Sequence, residues 1–204
     1  MNIHSLIIMA RITDSNRIKR LKESTMRLVA EKGFGGASAT MIALDAHVAA
    51  GYFYMHYKGK YEMVNTLLQE VFQEAVFKLE EYLEGSHTFN QVVDEIIGHI
   101  FMMASTDPVK LKFLYVLSND FSFVIDNETR QKVFGFLARM IELGKSDHSI
   151  DPRLTVHDLY LLVLVTTIQF INLRFKFQPE SPAISLEEKE HLRYMIQKVL
   201  KNNC

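Results

Sequence analysis

The chain has 204 residues, a formal net charge of −1, 48% hydrophobic residues, no Trp, four Pro, nine Gly and one Cys. That length suffices for a sizeable core in one large or two small domains. The lone cysteine, Cys204, excludes an intrachain disulfide and a cysteine metal cluster, and sparse Pro and Gly beside long periodic apolar stretches predict an all-α protein.

The near-zero charge conceals an uneven distribution. Residues 1–60 hold nine Lys or Arg against four Asp or Glu, and the rest of the chain holds fourteen against twenty. A basic head on an acidic body suits a phosphate-bearing partner. Counterion release would make such binding fall steeply with salt.

Residues 1–15 read as a flexible N-terminal arm. Leu6-Ile7-Ile8-Met9 is shorter than the apolar region of a signal peptide and has no basic residue before it. Met9, just ahead of Ala10-Arg11, is as plausible a start as Met1, and Arg11 could carry the arm to DNA. The first long helix is predicted from about Asn16 to Lys32, capped by Asp14 or Ser15. Leu21, Thr25, Leu28 and Val29 form one stripe along it. Arg17, Lys19 and Arg20 crowd its first turns against the helix dipole, at about 0.3–1 kcal/mol each, a cost that a nearby DNA backbone would offset.

Residues 16–60 complete a head domain. Gly33-Phe34-Gly35-Gly36 is a glycine turn. Ser38 can cap a short helix in which Ile42, Ala43 and Ala46 share a face. His47-Val48-Ala49-Ala50-Gly51 makes a tight corner, and Tyr52 to Lys60 holds a second short helix. Phe53 and Tyr57 fall on its inner face, and Ala50, Tyr52, Tyr54, Met55 and His56 on the other. Two short helices at a tight corner are a helix-turn-helix, whose second helix can lie in a DNA major groove. Hydroxyls and a ring N–H suit phosphate oxygens, and Ala50 and Met55 suit a thymine methyl group.

This segment resembles the DNA-binding domain of the TetR family of bacterial transcriptional repressors. The matching residues are Glu31-Lys32-Gly33-Phe34, Ser38, Ile42-Ala43, Ala46-His47-Val48-Ala49, Gly51, Tyr54, His56-Tyr57, Lys58 and Lys60, within about residues 17 to 64. Three positions depart from the family pattern. His47 replaces the corner glycine, Ala49 replaces a capping Ser, and Ala50 replaces a residue that is often polar or basic. The resemblance implies double-stranded DNA as partner and Ser38, Thr40, Ala50, Tyr52, Tyr54, Met55, His56 and Lys60 as its contacts. Tyr54 and Lys60 fall to phosphate, and Thr40, Ala50 and Met55 to base readout.

Residues 61–204 form a helical body. Glu62 to Leu83 keeps helical spacing over six turns and, by the resemblance, joins the head to an effector-binding domain as a lever. Further helices are predicted over His87–Ser105, Pro108–Leu117, Asn127–Lys145, Thr155–Phe177 and Ser185–Leu200. Between them, 119–126 has only a weak helical pattern. Thr155/Asp158 and Ser185/Glu188 are capping-box pairs. Leu159 to Ile171 is nearly all apolar, and thirteen such residues are too few to cross a bilayer, which needs about 20. No membrane role is expected. A helix apolar all round needs cover, which a homodimer would supply through about 155–177 and 185–200, as the resemblance implies.

Fourteen Phe and ten Met are enough to line an adaptable apolar pocket. Phe101, Met102, Phe113, Phe121, Phe123 and Phe170 are the candidate lining for a small apolar effector. His99, Asn119, Asn172 and Arg174 are candidates for its polar end. No cofactor, metal site or enzymatic function is indicated. No His pair stands at i, i+4, there is no Gly-rich phosphate loop or Gly-x-Ser-x-Gly elbow, and the pairs Asp147-His148 and His157-Asp158 lack a nucleophile. The sequence therefore reads as a cytoplasmic, dimeric DNA-binding regulator. The second reading is a ligand-binding and dimerisation module whose head has lost specific readout.

Overall fold

The computed structural model describes residues 3–85, 87–178, 180 and 184–201, with side chains from Asp14 onward. Cys204 and Met1 lie outside the described residues, as do the side chains of Met9 and Arg11. Helices follow one another in the order α1 Ile3–Gly36, α2 Ala39–Asp45, α3 Ala50–His56, α4 Lys60–Glu84, α5 Phe89–Thr106, α6 Pro108–Asn119, α7 Asn127–Ser146, α8 Val156–Phe177 and α9 Leu186–Leu200. No strand occurs among the described residues.

Local chemistry sets most of these boundaries. Thr88, Thr155 and Ser185 each form a capping box, with Gln91, Asp158 and Glu188 respectively. Asp107 caps α6 ahead of Pro108, whose missing N–H costs nothing at a first helical position. The helix start expected at about Asn16 is corrected, because α1 already runs from Ile3. No Gly or Pro precedes Gly33, so nothing upstream of Asp14 stops a helix. Asp14 is accordingly an interior position rather than a cap.

The head is α1 to α3, built on the stripe Leu21, Thr25, Leu28 and Val29 together with Ile42, Ala43 and Phe53, all buried. The body is α4 to α9. Its α8 is one continuous rod in which Tyr160–Val165 winds as a π-turn. Thr166 Oγ1 donates to Leu161 O at 2.9 Å, within this widened turn.

Head and body meet where α1 packs against α6 and α4, and through the loop between α6 and α7, which is the weakly patterned stretch 119–126. Gly33 bends the end of α1 at φ 76°, ψ 166°, a region open almost only to glycine. The bend turns the Phe34 N–H toward Asp120, whose Oδ2 accepts it at 2.9 Å. Phe123 is buried between Phe34 and Tyr61, with ring centroids 5.1 and 6.0 Å away. Tyr61 donates its hydroxyl to Val124 O at 2.9 Å, and Asp126 N donates to Asn65 Oδ1 at 3.1 Å. Hydrogen bonds from the Ser122 hydroxyl and N–H, then from the Phe34 and Gly35 amides, hold the Asp120 carboxyl below the usual carboxylate range.

Candidate nucleic-acid interface and effector cavity

The corner between α2 and α3 has the tight geometry of a helix-turn-helix. Ser38 Oγ accepts from Met41 N at 3.2 Å and so closes the start of α2. His47 takes the left-handed conformation, φ 54°. Its N–H donates to Leu44 O at 3.1 Å, and the next N–H, of Val48, donates to Ala43 O at 3.0 Å. A left-handed non-glycine residue carries strain, so His47→Gly should stabilise the fold by about 1 kcal/mol, read as a higher denaturation midpoint at unchanged slope. Ala49 opens α3 with no side-chain cap, so its orphan N–H groups remain available to solvent or to phosphate.

Thr40, Ala50, Tyr54, Met55 and His56 are all exposed, Tyr54 at 58% and Met55 at 70%. Leu44 is exposed as well, one turn beyond Thr40 on the same face of α2. Sequence reasoning passed it over, although an uncovered Leu beside a turn is a signal for contact. Around this face, Arg20 Nε donates to Ala46 O at 3.0 Å and Arg27 pairs with Asp45, tying α1 to α2 and the corner.

Tyr52 is corrected. It does not share the outer face of α3, because its ring is 9% exposed and its hydroxyl donates to Asp14 Oδ1 at 2.5 Å. Arg17 lies over the ring at 5.7 Å and His56 packs beside it at 4.7 Å. Burial first, and the bond to Asp14 second, push this hydroxyl from 10.0 up to about 12. A raised acid pKa means that the neutral form is favoured on folding. Its contribution is therefore complete below pH 10 and disappears between pH 10 and about 12. Tyr52→Phe should lower head stability by about 1 kcal/mol at neutral pH, with the gap to the parent shrinking above pH 10 in urea titrations.

Lys60 is corrected too. Its ammonium is not free to face phosphate, because it donates to Phe34 O and to Ala37 O, the latter at 2.7 Å, and lies 4.2 Å above the Phe34 ring. Desolvation lowers its pKa, and Asp120 partly restores it. Lys60 thus closes the carbonyl end of α1 from the first turn of α4, as cations near a helix C-terminus do. Lys58 is exposed and is the cation of this pair left facing outward.

In the body, α4, α5, α6 and α8 enclose an apolar cavity of about 70 Å³. Leu68, Val71, Phe72, Ala75 and Leu79 of α4 form one wall, and Tyr160, Leu164, Val165 and Ile168 of α8 the other. The π-turn therefore borders the cavity, through Tyr160, Leu164 and Val165. Ser118 and His99 bring the polar groups other than the Tyr160 hydroxyl. Burial, and Lys78 after it, lower the His99 pKa and favour the neutral ring.

None of the six residues read as pocket lining borders this cavity. Phe121 is fully exposed, at 105%. Phe123 packs in the head–body junction. Phe101 is stacked on Phe170 at 6.3 Å, Phe113 is wholly buried, and Met102 is half exposed. Of the polar candidates, only His99 reaches the cavity. Arg174 pairs with Glu188 and donates to Gln178 O, while Asn119 accepts from Gln169 and donates to Tyr115 O.

Known proteins match both parts. The family model "Bacterial regulatory proteins, tetR family" matches residues 22–67, which cover the C-terminal part of α1, all of α2 and α3, and the start of α4. The HTH-type transcriptional regulator YvdT of Bacillus subtilis (strain 168), itself uncharacterised, is 20% identical over 137 residues, 67% of this chain and 71% of that protein. A TetR family transcription regulator from Marinobacter aquaeolei VT8 superposes with a TM-score of 0.75 at 15% identity, covering 95% of this chain and 100% of that one. The transcriptional regulator FadR from Bacillus subtilis, solved in complex with stearoyl-CoA, superposes with a TM-score of 0.65 at 16% identity, covering 88% and 97%. A serine-capped helix, a left-handed corner and a second short helix on a basic head thus place the DNA-binding domain in the TetR family of transcriptional regulators, and the helical body has the fold of solved TetR-family regulators.

Proposed function

We propose that the protein acts as a homodimeric repressor which binds a palindromic operator and is released by a mostly apolar small molecule. The observation that carries the reading is the exposed face shared by α2 and α3, with Thr40, Tyr54 and Met55 uncovered on a basic head. Met55, Thr40 and Ala50 read base edges, Tyr54 and His56 meet phosphate, and Ser38 fixes the start of α2.

The dimer is supported by α8. Its 22 residues include a window of mean hydropathy 1.5, of which only 28% is buried within one chain. By length and composition such a helix could cross a membrane, but α9 carries exposed apolar residues as well, Tyr194, Met195 and Val199. A second copy of the same two helices would cover both, with two-fold symmetry that sets two heads on two half-sites.

The effector reading is supported by the cavity. At about 70 Å³ it holds on the order of five waters, far less than an alkyl chain. A larger ligand is admitted only when the lining helices part, and α4 is both cavity wall and link to the head. Such a ligand binds the parted form more tightly and so shifts the population away from the DNA-competent one. FadR from Bacillus subtilis holds stearoyl-CoA on the same fold, which favours a fatty-acyl ligand here. The uncapped start of α3 and Ala50 favour the second reading, a ligand-binding dimer with degenerate readout. Fluorescence anisotropy on a selected duplex, titrated with saturated fatty acids and their thioesters, separates the two. Sequence-selective binding lost on ligand addition supports the regulator, and ligand binding without sequence preference supports the module.

A further inference from the structure

A second hollow lies beside the cavity, an open groove of about 560 Å³ between α4 and α7. Phe72 lines both, so one aromatic side chain is the partition between the enclosed apolar space and the solvent-open groove. The two spaces differ in chemistry. The cavity is lined almost wholly by hydrocarbon. The groove is lined by Gln69, Gln73, Gln131, Lys132, Arg139 and Glu80 together with Phe77, which is 71% exposed.

We propose that this groove is the head-group subsite of an anionic, single-chain amphiphile whose alkyl tail fills the cavity, with Phe72 as the gate between them. The inference rests on the effector reading above and names the chemistry of its ligand. No fixed charge lines the cavity, so a charged head must stay outside it. At the opposite rim, by His99, Lys110 is held by two carboxylates at once, Glu74 and Asp107. On the α4/α7 side, Arg139 pairs with Glu80 at 2.7 Å and Lys132 with Glu128 at 2.8 Å. Both pairs are exposed, and exposed pairs are weak enough for a ligand anion to exchange into them. Gln73 and Gln131 add uncharged donors, and Phe77 offers an apolar or stacking surface at the mouth.

The chain contains no Trp, so Phe77→Trp places a single indole at the groove. Dodecanoate and the neutral dodecanol serve as probes of equal chain length. Dodecanoate should shift the Phe77→Trp emission. Lys132→Gln with Arg139→Gln should weaken dodecanoate roughly tenfold, the loss of one or two charge-assisted hydrogen bonds, and leave dodecanol unchanged. Phe72→Ala should speed dodecanoate association roughly tenfold by removing the closed-gate population. If both probes bind but the charge variant affects them equally or not at all, the groove assignment is wrong and the cavity reading stands. If neither probe binds the parent protein, the cavity reading itself fails, and the groove assignment with it.

Discussion

Leu173→Glu combined with Val199→Glu should leave each chain folded, abolish the dimer and lower the affinity for a palindromic duplex about 100-fold or more. Leu173 lies on α8 and Val199 on α9, and both are exposed in the single chain. At 47% and 59% exposed they lie outside the buried core of the single chain, so their replacement costs the chain far less than it costs a dimer, which separates this test from ordinary destabilisation. At a two-fold interface each substitution occurs twice, so four carboxylates would be buried without partners. An unpaired buried charge costs several kcal/mol, enough to dissociate an interface of ordinary size. The loss in DNA affinity follows from geometry rather than from the heads. Two linked heads bind the second half-site at high effective concentration, and a monomer forfeits that gain of about 100-fold to 10,000-fold. Sedimentation and anisotropy on the same samples check both parts. Phe121→Glu, at a fully exposed loop position, is the control and should change neither. A double variant that remains dimeric and binds as tightly as the parent would remove α8 and α9 from the interface.

Phe123→Ala should cost about 3 kcal/mol and loosen the contact between head and body. The ring is buried against Phe34 at the end of α1 and against Tyr61 in the first turn of α4. Truncating a buried Phe loses roughly 3–5 kcal/mol, with the lower figure applying where the site can relax. The contact bridges the two elements through which a body rearrangement reaches the head. The neighbouring Asp120 bond to Phe34 N stays in place, so the variant weakens the clamp without removing it. Urea denaturation should report the lost stability, and backbone amide exchange should rise first in residues 33–37. An effector that lowers DNA affinity in the parent should do so less in the variant, because coupling free energy between two sites requires an element that both bias. A variant with parental stability and parental ligand response would show that the α6–α7 loop carries no coupling.

Much of the architecture was legible because it rests on local chemistry. Ser38, Thr155 and Ser185 announce their helices through side chains that accept from an N–H three residues on. The stripes of α1 and α4 follow from helical spacing alone. The errors arose where side chains meet across the chain. Tyr52 precedes the inward Phe53 by one position, and in a seven-residue helix its direction depends on α1, whose Asp14 lies 38 positions earlier. Lys60 reads as a surface cation until the carbonyls of Phe34 and Ala37 are placed beside it. The pocket failed for a different reason. Large aromatics fill space, so Phe101, Phe113 and Phe123 mark packed regions. The void lies where Ala75, Ser118 and Val165 stop short of one another. The boundary of α1 shows the limit of a cap signal, because Asp14 has the right type but lacks a breaker ahead of it.

The central claim is sequence-specific recognition by paired heads. Selection of bound sequences from a random duplex library at moderate salt, with the purified full-length protein, tests it most directly. The account predicts an inverted repeat whose half-site centres lie about one helical turn apart or a multiple of it, roughly 34–36 Å per turn. Met55→Ala should alter the preferred bases within each half-site. Enrichment of no motif, with binding that depends only on salt, would contradict it and leave a ligand-binding dimer whose head no longer reads DNA.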